Sequence, residues 1–425
     1  MRPDLKPNEK IRFILKTYSN IITRSITLYS EGKIMNPDSI EGSGYPLAFK
    51  VRNGITPRVV SSETPARDIF KVEARTMGGH QKEVLVTEGE GGTVWRLTSD
   101  EGAILKGSDL APFPLAFYNA GLHADFVKRA LQIARSKEIA LTIDSVKLTN
   151  QYYFQGSFFS GTGKGSAEAV TVHVNARSNF SREKVQEILD LAIIASPAHA
   201  TLAYAQRNTF ALYVNGRRCP VIRVASSLAS DEADPFKAHN STPAPLKDTD
   251  DMSTIIERIP LEENGIALPL LPSEGRVQIV IPGTSSPIDA DGLIATTVTP
   301  RAGHAFRITC DESSNSGSAP TGLSSIAASI AFCYMTQFTR YIEHRKHKVR
   351  AIRFVQTLPF TLTGNALDGS LVGGLEPVDT HVFLNADEPD EVLQNLLEVA
   401  ENTCYLHAAL RSTLPSRVSL VLNGE

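Results

Sequence analysis

Cysteine is scarce in this chain: four in 425 residues, Cys219, Cys310, Cys333 and Cys404. So few thiols cannot build a disulfide scaffold of this size, which leads us to expect a cytoplasmic protein with individually buried or reactive sulfurs. Charge of one sign is also missing. Lys plus Arg number 43 and Asp plus Glu 46, for a net charge of −3, so the basic surplus of a nucleic-acid binder is excluded. No run of about 18 apolar residues occurs, which excludes a membrane-spanning helix. The opening MRPDLKPNEKIRFILK lacks the apolar stretch and cleavage site of a secretory signal. What remains is ordinary globular material, 42% hydrophobic and 21% charged, which rules out wholesale disorder. At about 150 residues per domain, the length suggests two or three domains.

Sliding the sequence along itself reveals an internal repeat. Val170–Gly216 registers without a gap on Val378–Gly424, an offset of 208, and 13 of the 47 positions are identical. Random pairing would give about three. Val185, Ile188, Leu189 and Ala192 match Leu393, Leu396, Leu397 and Ala400 in helical phase. Upstream, both halves run strands, long helix, strands, helix, strand. The first has DIFKVEA, KEVLVTE and GTVWRL, a helix over about Pro114–Ser136, then IALTIDSVKL, AVTVHV, the matched helix and FALYV. The second has VQIVI, LIATTVT and HAFRIT, a helix over about Thr321–His347, then VRAIRFVQTL, THVFL, the matched helix and VSLVL. Hairpin-length spacing makes this an α+β chain of antiparallel sheets packed on long central helices. The expected organisation is a 1–66 extension with a helix over 8–30, a first repeat at 67–216, a linker at 217–254 and a second repeat at 255–425.

On the second long helix Leu323, Ile326, Ala327, Ile330, Cys333, Gln337 and Tyr341 step by three or four, which puts Cys333 on a buried stripe. Cys404 continues the stripe of Leu393, Leu396, Leu397 and Ala400 at the end of its helix. Buried cysteine commonly acts as a small hydrophobe, so position alone leaves both thiols open between packing and chemistry.

The element order, the cysteine within APTGLSSIAASIAFCYMTQFTRY and the second cysteine in ENTCYLHAAL resemble the OsmC/Ohr family (osmotically inducible protein C and organic hydroperoxide resistance proteins). The resemblance spans roughly residues 67–216 and 255–425. It implies an intertwined dimer, here fused into one chain, with Cys333 as the peroxide-attacking thiol and Cys404 as the resolving partner. The first repeat departs from the pattern: Ser196 stands where Cys404 falls, and FPLAFYNAGLHADFVKRALQIARS has no cysteine, so one thiol pair remains per chain. The family also pairs an Arg from a glycine-rich hairpin with a Glu ahead of the helix cysteine. The hairpin TMGGHQKEV offers His80 instead, with Arg75 nearby and Arg276 in the second half. The nearest acids upstream of Cys333 are Asp311 and Glu312. Asn119 and His123, at i and i+4 on a packed face, are candidates to line a pocket or to form a hydrogen-bonded structural pair. Gln337 and His407 complete the candidate lining.

Other motifs fall away. SGTGKGS is no phosphate loop, because Phe158 and Gly165 occupy positions that need Gly and Ser or Thr. Cys404–His407 is a C-x-x-H pair without a second pair, and His199 matches His407 where no cysteine exists, so no metal and no cofactor are expected. His173 and His381 sit on matched strands of the two repeats and invite a structural reading. The basic run His344–Arg350 suits a helix C-terminus in solvent. Cys219 and Cys310 are assigned no chemistry. The sequence therefore leads to a thiol peroxidase acting on a small apolar hydroperoxide, regenerated by a thiol reductant, with no nucleic-acid or membrane partner and room for further homodimerisation. The alternative is a hydrolase or small-molecule binder using the same cleft.

Overall fold

The computed structural model describes residues 36, 38–61, 65–158, 160–246, 255–259, 272–273, 276–286, 292–300, 302–313 and 317–425. The helix expected over 8–30 lies outside the described residues. The chain divides into a small unit, residues 1–45, and a large one, residues 46–425. The described part of the small unit holds a short helix, α1 (Ile40–Ser43), whose Ser39 cap accepts the Gly42 N–H at 2.9 Å.

In chain order the first half of the large unit gives β1 (Ala48–Arg52), α2 (Arg58–Ser61), β2 (Ala66–Thr76), β3 (Lys82–Thr87), β4 (Val94–Ser99), the long helix α3 (Pro114–Ser136), β5 (Thr142–Gln155), β6 (Lys164–Ala167), β7 (Thr171–Arg177), α4 (Arg182–Ala195), α5 (Pro197–Ala203) and β8 (Thr209–Val214). Two short elements follow, β9 (Arg217–Cys219) and α6 (Phe236–His239). The second half gives β10 (Ile256–Ile259), β11 (Pro272–Ser273), β12 (Arg276–Ser285), β13 (Leu293–Val298), β14 (Ala305–Asp311), the long helix α7 (Gly322–Arg345), β15 (Val349–Thr363), β16 (Val372–Leu375), β17 (Asp379–Ala386), α8 (Asp390–Thr403), α9 (Tyr405–Leu410) and β18 (Arg417–Leu422). The expected 1–66 extension is thus too long, because β1 pairs with β4 and widens a sheet. The expected linker is partly structured: β9 pairs with β8, and Asp234 grips Arg353 of β15 at 2.6 Å.

The strands form two sheets of mixed ownership. One runs β1-β4-β3-β2-β15-β17-β8-β9 and the other β10-β14-β13-β12-β5-β7-β18. In each, a three-strand meander from one half pairs antiparallel with the long strand of the other half, β2 with β15 and β12 with β5. Two parallel pairings follow, β17 with β8 and β18 with β7. The apolar faces are thus completed by exchange of strands between the two halves of the chain. Pro114 and Gly322, Arg182 and Asp390, Pro197 and Tyr405, and Thr209 and Arg417 each begin an element 208 positions apart.

The long helices form the centre. Pro114 starts α3 at its first position, where a missing N–H costs nothing. Thr321 caps α7, its hydroxyl accepting the Ser324 N–H. The two helices cross closely, since a Cβ on Gly121 would lie 2.6 Å from the Gly322 carbonyl oxygen. Phe117 and Phe332 pack with ring centroids 5.6 Å apart. Every residue from Gly322 to Thr339 is buried. That corrects the single stripe read from the sequence: α7 is covered on all sides, so its Ser and Thr hydroxyls must find internal partners. Among the described residues, no helix is long and apolar enough to cross a membrane.

Candidate functional site

Helix α8 ends and α9 begins at one extended residue, Cys404 (φ −73°, ψ 120°). This break turns the thiol toward α7, where Cys333 stands near enough to raise its pKa. Both thiols are free. Their surroundings differ. Cys333 forms part of the wall of a cavity of about 350 Å³, with Phe113, Leu115, Phe154, Ile279 and Ile281 among the apolar lining. Cys404 lies behind it, fully buried. Burial, reinforced by the neighbouring Cys333, pushes the Cys404 thiol well above the usual range. Cys333 thus borders the cavity and Cys404 does not.

The polar edge of the cavity comes from both halves. Glu101, in the loop after β4, accepts a hydrogen bond from Thr336, one turn beyond Cys333, at 2.5 Å. Lys82 of β3 pairs with the same carboxylate at 3.0 Å and also donates to the His80 carbonyl at 2.8 Å. Both Lys82 and Glu101 are buried, so their charges are strengthened by weak solvent screening. Asp100 holds this loop by accepting the N–H groups of Glu101, Ser108 and Leu110. Farther along α7, Arg340 donates to Gln337 at 3.1 Å and lies 4.6 Å from the Phe158 ring centroid.

Of the residues named from sequence, Cys333 and Gln337 line the cavity and Cys404 and His407 stand directly behind it. The rest are placed elsewhere, for clear reasons. Arg75 is drawn to Glu83, which also holds Arg96. His80 faces Glu343 at 3.3 Å, and only its carbonyl reaches Lys82. Asn119 donates to Leu148 O, Asn150 Oδ1 and Ile281 O, and a Cβ on Gly283 would collide with its amide. His123 bonds to Ser285 at 3.0 Å. Arg276 sits exposed at the start of β12. Sequence reasoning missed Glu101 because it sought the acid just upstream of Cys333, and it passed over Lys82 because it sought an Arg in the TMGGHQKEV hairpin. The signal was present: Asp100-Glu101 follows β4 as Asp311-Glu312 follows β14, and Lys82 lies two residues past His80.

At the positions 208 residues earlier, the thiols are replaced by Asp125 and Ser196, and Ser196 donates to Asp125 at 2.5 Å. Asp125 also accepts the Ala198 N–H and faces Arg129 of the next turn at 3.4 Å. Arg129 in turn donates to the Val59 carbonyl of α2. Glu312, the counterpart of Glu101, accepts the Gly322 N–H at 2.6 Å; burial and nearby Asp125 push it up to about 8. Among the described residues, no group of three or more His, Cys, Asp or Glu is placed to hold a metal ion.

Burial also holds four imidazoles neutral. His123 and His407 are pushed down to about 3, and His199 and His239 to about 4. An unfolded histidine takes a proton near pH 6.5, so stability is full above that value and is lost as pH falls toward 4. Each contributes at most about 1.4 kcal/mol per pH unit. Glu312 works in the opposite sense between about 4.5 and 8 and offsets one of the four. Thermal unfolding followed by circular dichroism is therefore expected to show a lower midpoint at pH 5 than at pH 7; an equal or higher midpoint refutes this account.

The chain was compared with known proteins. The family of OsmC-like proteins matches residues 315–419, which include both Cys333 and Cys404. No curated protein matches the chain. Among solved structures, it is similar to an OsmC-like hydroperoxide resistance protein from Jannaschia sp. CCS1, at 19% identity and a TM-score of 0.20, over 29% of this chain and 80% of that one. The matched segment, residues 315–419, is about a quarter of the chain and is similar to the OsmC-like proteins.

Proposed function

We propose that this protein reduces organic hydroperoxides through Cys333 and Cys404. The observation that carries the reading is the thiol pair at the wall of an apolar cavity, one sulfur facing the cavity and one behind, with the Lys82–Glu101 pair beside them. In the first step the Cys333 thiolate attacks the terminal oxygen of the hydroperoxide. The S–O bond forms as the O–O bond breaks, and the departing alkoxide takes up the proton that the thiol gave up. Glu101, held in place by Lys82 and Thr336, accepts the hydroperoxide O–H and orients it. Cys404 then displaces hydroxide from the sulfenic acid, giving a disulfide and water. An external dithiol supplies two electrons to restore both thiols.

The apolar lining suits a substrate with a hydrocarbon body rather than hydrogen peroxide. The common offset of 208 positions and the matching order of the two sheets support a further reading of the chain: two copies of one ancestral unit, interlocked, with the reactive pair kept in the later copy.

The test is a thiol count. Reduced protein mixed with cumene hydroperoxide is expected to lose two of its four thiols and to gain one Cys333–Cys404 bond by peptide mapping. Unchanged thiols, together with a ligand-dependent rise in melting temperature, would move the assignment to a binding protein. Glu101→Gln is expected to lower kcat/KM for cumene hydroperoxide by about 100-fold, the usual scale for losing one positioned acid–base group. Undiminished kcat/KM would remove Glu101 from the mechanism.

A further inference from the structure

His407 is the least expected neighbour of the thiol pair. Its Nδ1 lies 3.2 Å from Cys404 Sγ, and its Nε2 has no hydrogen-bond partner among the described residues. The ring is clamped by aromatic side chains, 4.5 Å from Tyr334 and 5.7 Å from Phe210, centroid to centroid. It cannot swing to another partner without breaking that packing.

The molecule supplies its own control. His199 occupies the equivalent place in the first half, yet its Nδ1 bonds to the Ser416 hydroxyl at 2.8 Å. Ser196, where the second thiol would be, bonds instead to Asp125. The counterpart of Ser416 in the second half is Asn208, 208 positions earlier, and both polar atoms of its amide are buried without a partner. His407 has therefore passed over the partner its counterpart uses and bonds the thiol. A purely structural role, common to both histidines, does not account for this difference.

We propose that His407 positions the Cys404 thiol for attack on oxidised Cys333, accepting its S–H on Nδ1 and taking the proton as the sulfur–sulfur bond forms. The proposal rests on the peroxidase reading for its oxidant but not for its geometry. In the step, Cys404 Sγ bonds to Cys333 Sγ while the Cys333 S–O bond breaks. The Cys404 sulfur is oxidised and the Cys333 sulfur reduced. Hydroxide leaves and is protonated to water, and the imidazolium returns its proton to solvent. Because burial holds His407 neutral, with Arg411 adding to the effect, the transfer accompanies the attack and does not precede it. With its proton held by the imidazole, the Cys404 sulfur keeps a lone pair free for Cys333.

Two variants separate this role from simple packing. His407→Leu keeps an apolar body in the aromatic cage and removes the acceptor, whereas His407→Asn retains an acceptor at the reach of Nδ1. Each is compared with the wild-type chain after circular dichroism shows that it is folded. Disulfide formation is followed by mass spectrometry after a pulse of cumene hydroperoxide, with dimedone present to trap sulfenic acid. His407→Leu is expected to slow the Cys333–Cys404 bond by about 10- to 100-fold and to accumulate the dimedone adduct on Cys333. His407→Asn is expected to recover most of the rate.

The same rates are measured with diamide, which forms the bond through a sulfenyl hydrazine instead of a sulfenic acid. If hydroperoxide fails but diamide gives the bond, and His407→Leu slows it, the peroxidase reading falls and the role of His407 stands. Wild-type rates in His407→Leu with both oxidants overturn the proposal. So does a wild-type chain that forms no such bond with either.

Discussion

Cys333→Ser is expected to abolish hydroperoxide consumption, with turnover falling at least about 1000-fold, because no other described thiol opens onto the cavity. Cys404→Ser is expected to behave differently. Its Cys333 still reacts once per chain, but the sulfenic acid has no partner and persists until trapped or overoxidised. A stopped-flow trace should thus show one equivalent of hydroperoxide consumed by Cys404→Ser and none by Cys333→Ser. The roles follow from burial: Cys404 is fully enclosed and its thiol is pushed well up, whereas Cys333 meets the cavity. If Cys404→Ser is inert and Cys333→Ser retains the burst, the two assignments are reversed. The remaining cysteines give no background route. Cys310 is buried and pushed up to about 12, bonded to Ser325 at 3.4 Å, and Cys219 sits on an edge strand pairing with β8.

The second large effect concerns stability. Asp125→Ala is expected to cost about 3–5 kcal/mol, because it leaves the Arg129 guanidinium buried without its carboxylate. The Ser196 hydroxyl and the Ala198 N–H lose their acceptor at the same time. Ser196→Ala, which removes one hydroxyl and keeps the ion pair, is expected to cost only about 1 kcal/mol. Urea unfolding monitored by far-ultraviolet circular dichroism measures both. A shift of under about 1 kcal/mol for Asp125→Ala would show that water or Glu312 replaces the lost partner. The contrast is informative because Asp125 and Cys333 occupy matching places on the two long helices. In one half the place carries the Cys333 thiol; in the other a carboxylate ties a helix to its surroundings.

Much of the fold was legible from periodicity. The expected helix over Pro114–Ser136 coincides with α3, and the expected Thr321–His347 helix contains α7. The strand runs fall on the observed strands because alternation and β-branched content are local properties. Which strands pair across the chain was not legible. Nothing in VQIVI states that its neighbour is Asn150–Phe154 and not a strand of its own half. For the same reason the acid was sought just upstream of Cys333 and Glu101 went unnamed, while Lys82 was passed over in the hairpin that was searched for an Arg. Arg75 and His80 were reasonable candidates by proximity in sequence, but a side chain on a strand serves whichever face its parity gives it. Glu83, next to Lys82, points the other way and takes Arg75 and Arg96. The two thiols were found because their spacing survives any pairing: each is fixed by its own helix.

Strand exchange has a consequence for how this protein is made. During synthesis residues 66–99 emerge with β2 exposed along one edge, and its partner β15 is nearly 300 residues further on. Until that partner arrives, the nascent first half presents an unsatisfied ladder, the kind of surface that invites aggregation or chaperone binding. Folding should therefore be slow and should wait for β15, and a fragment ending before α7 should be insoluble rather than half-active.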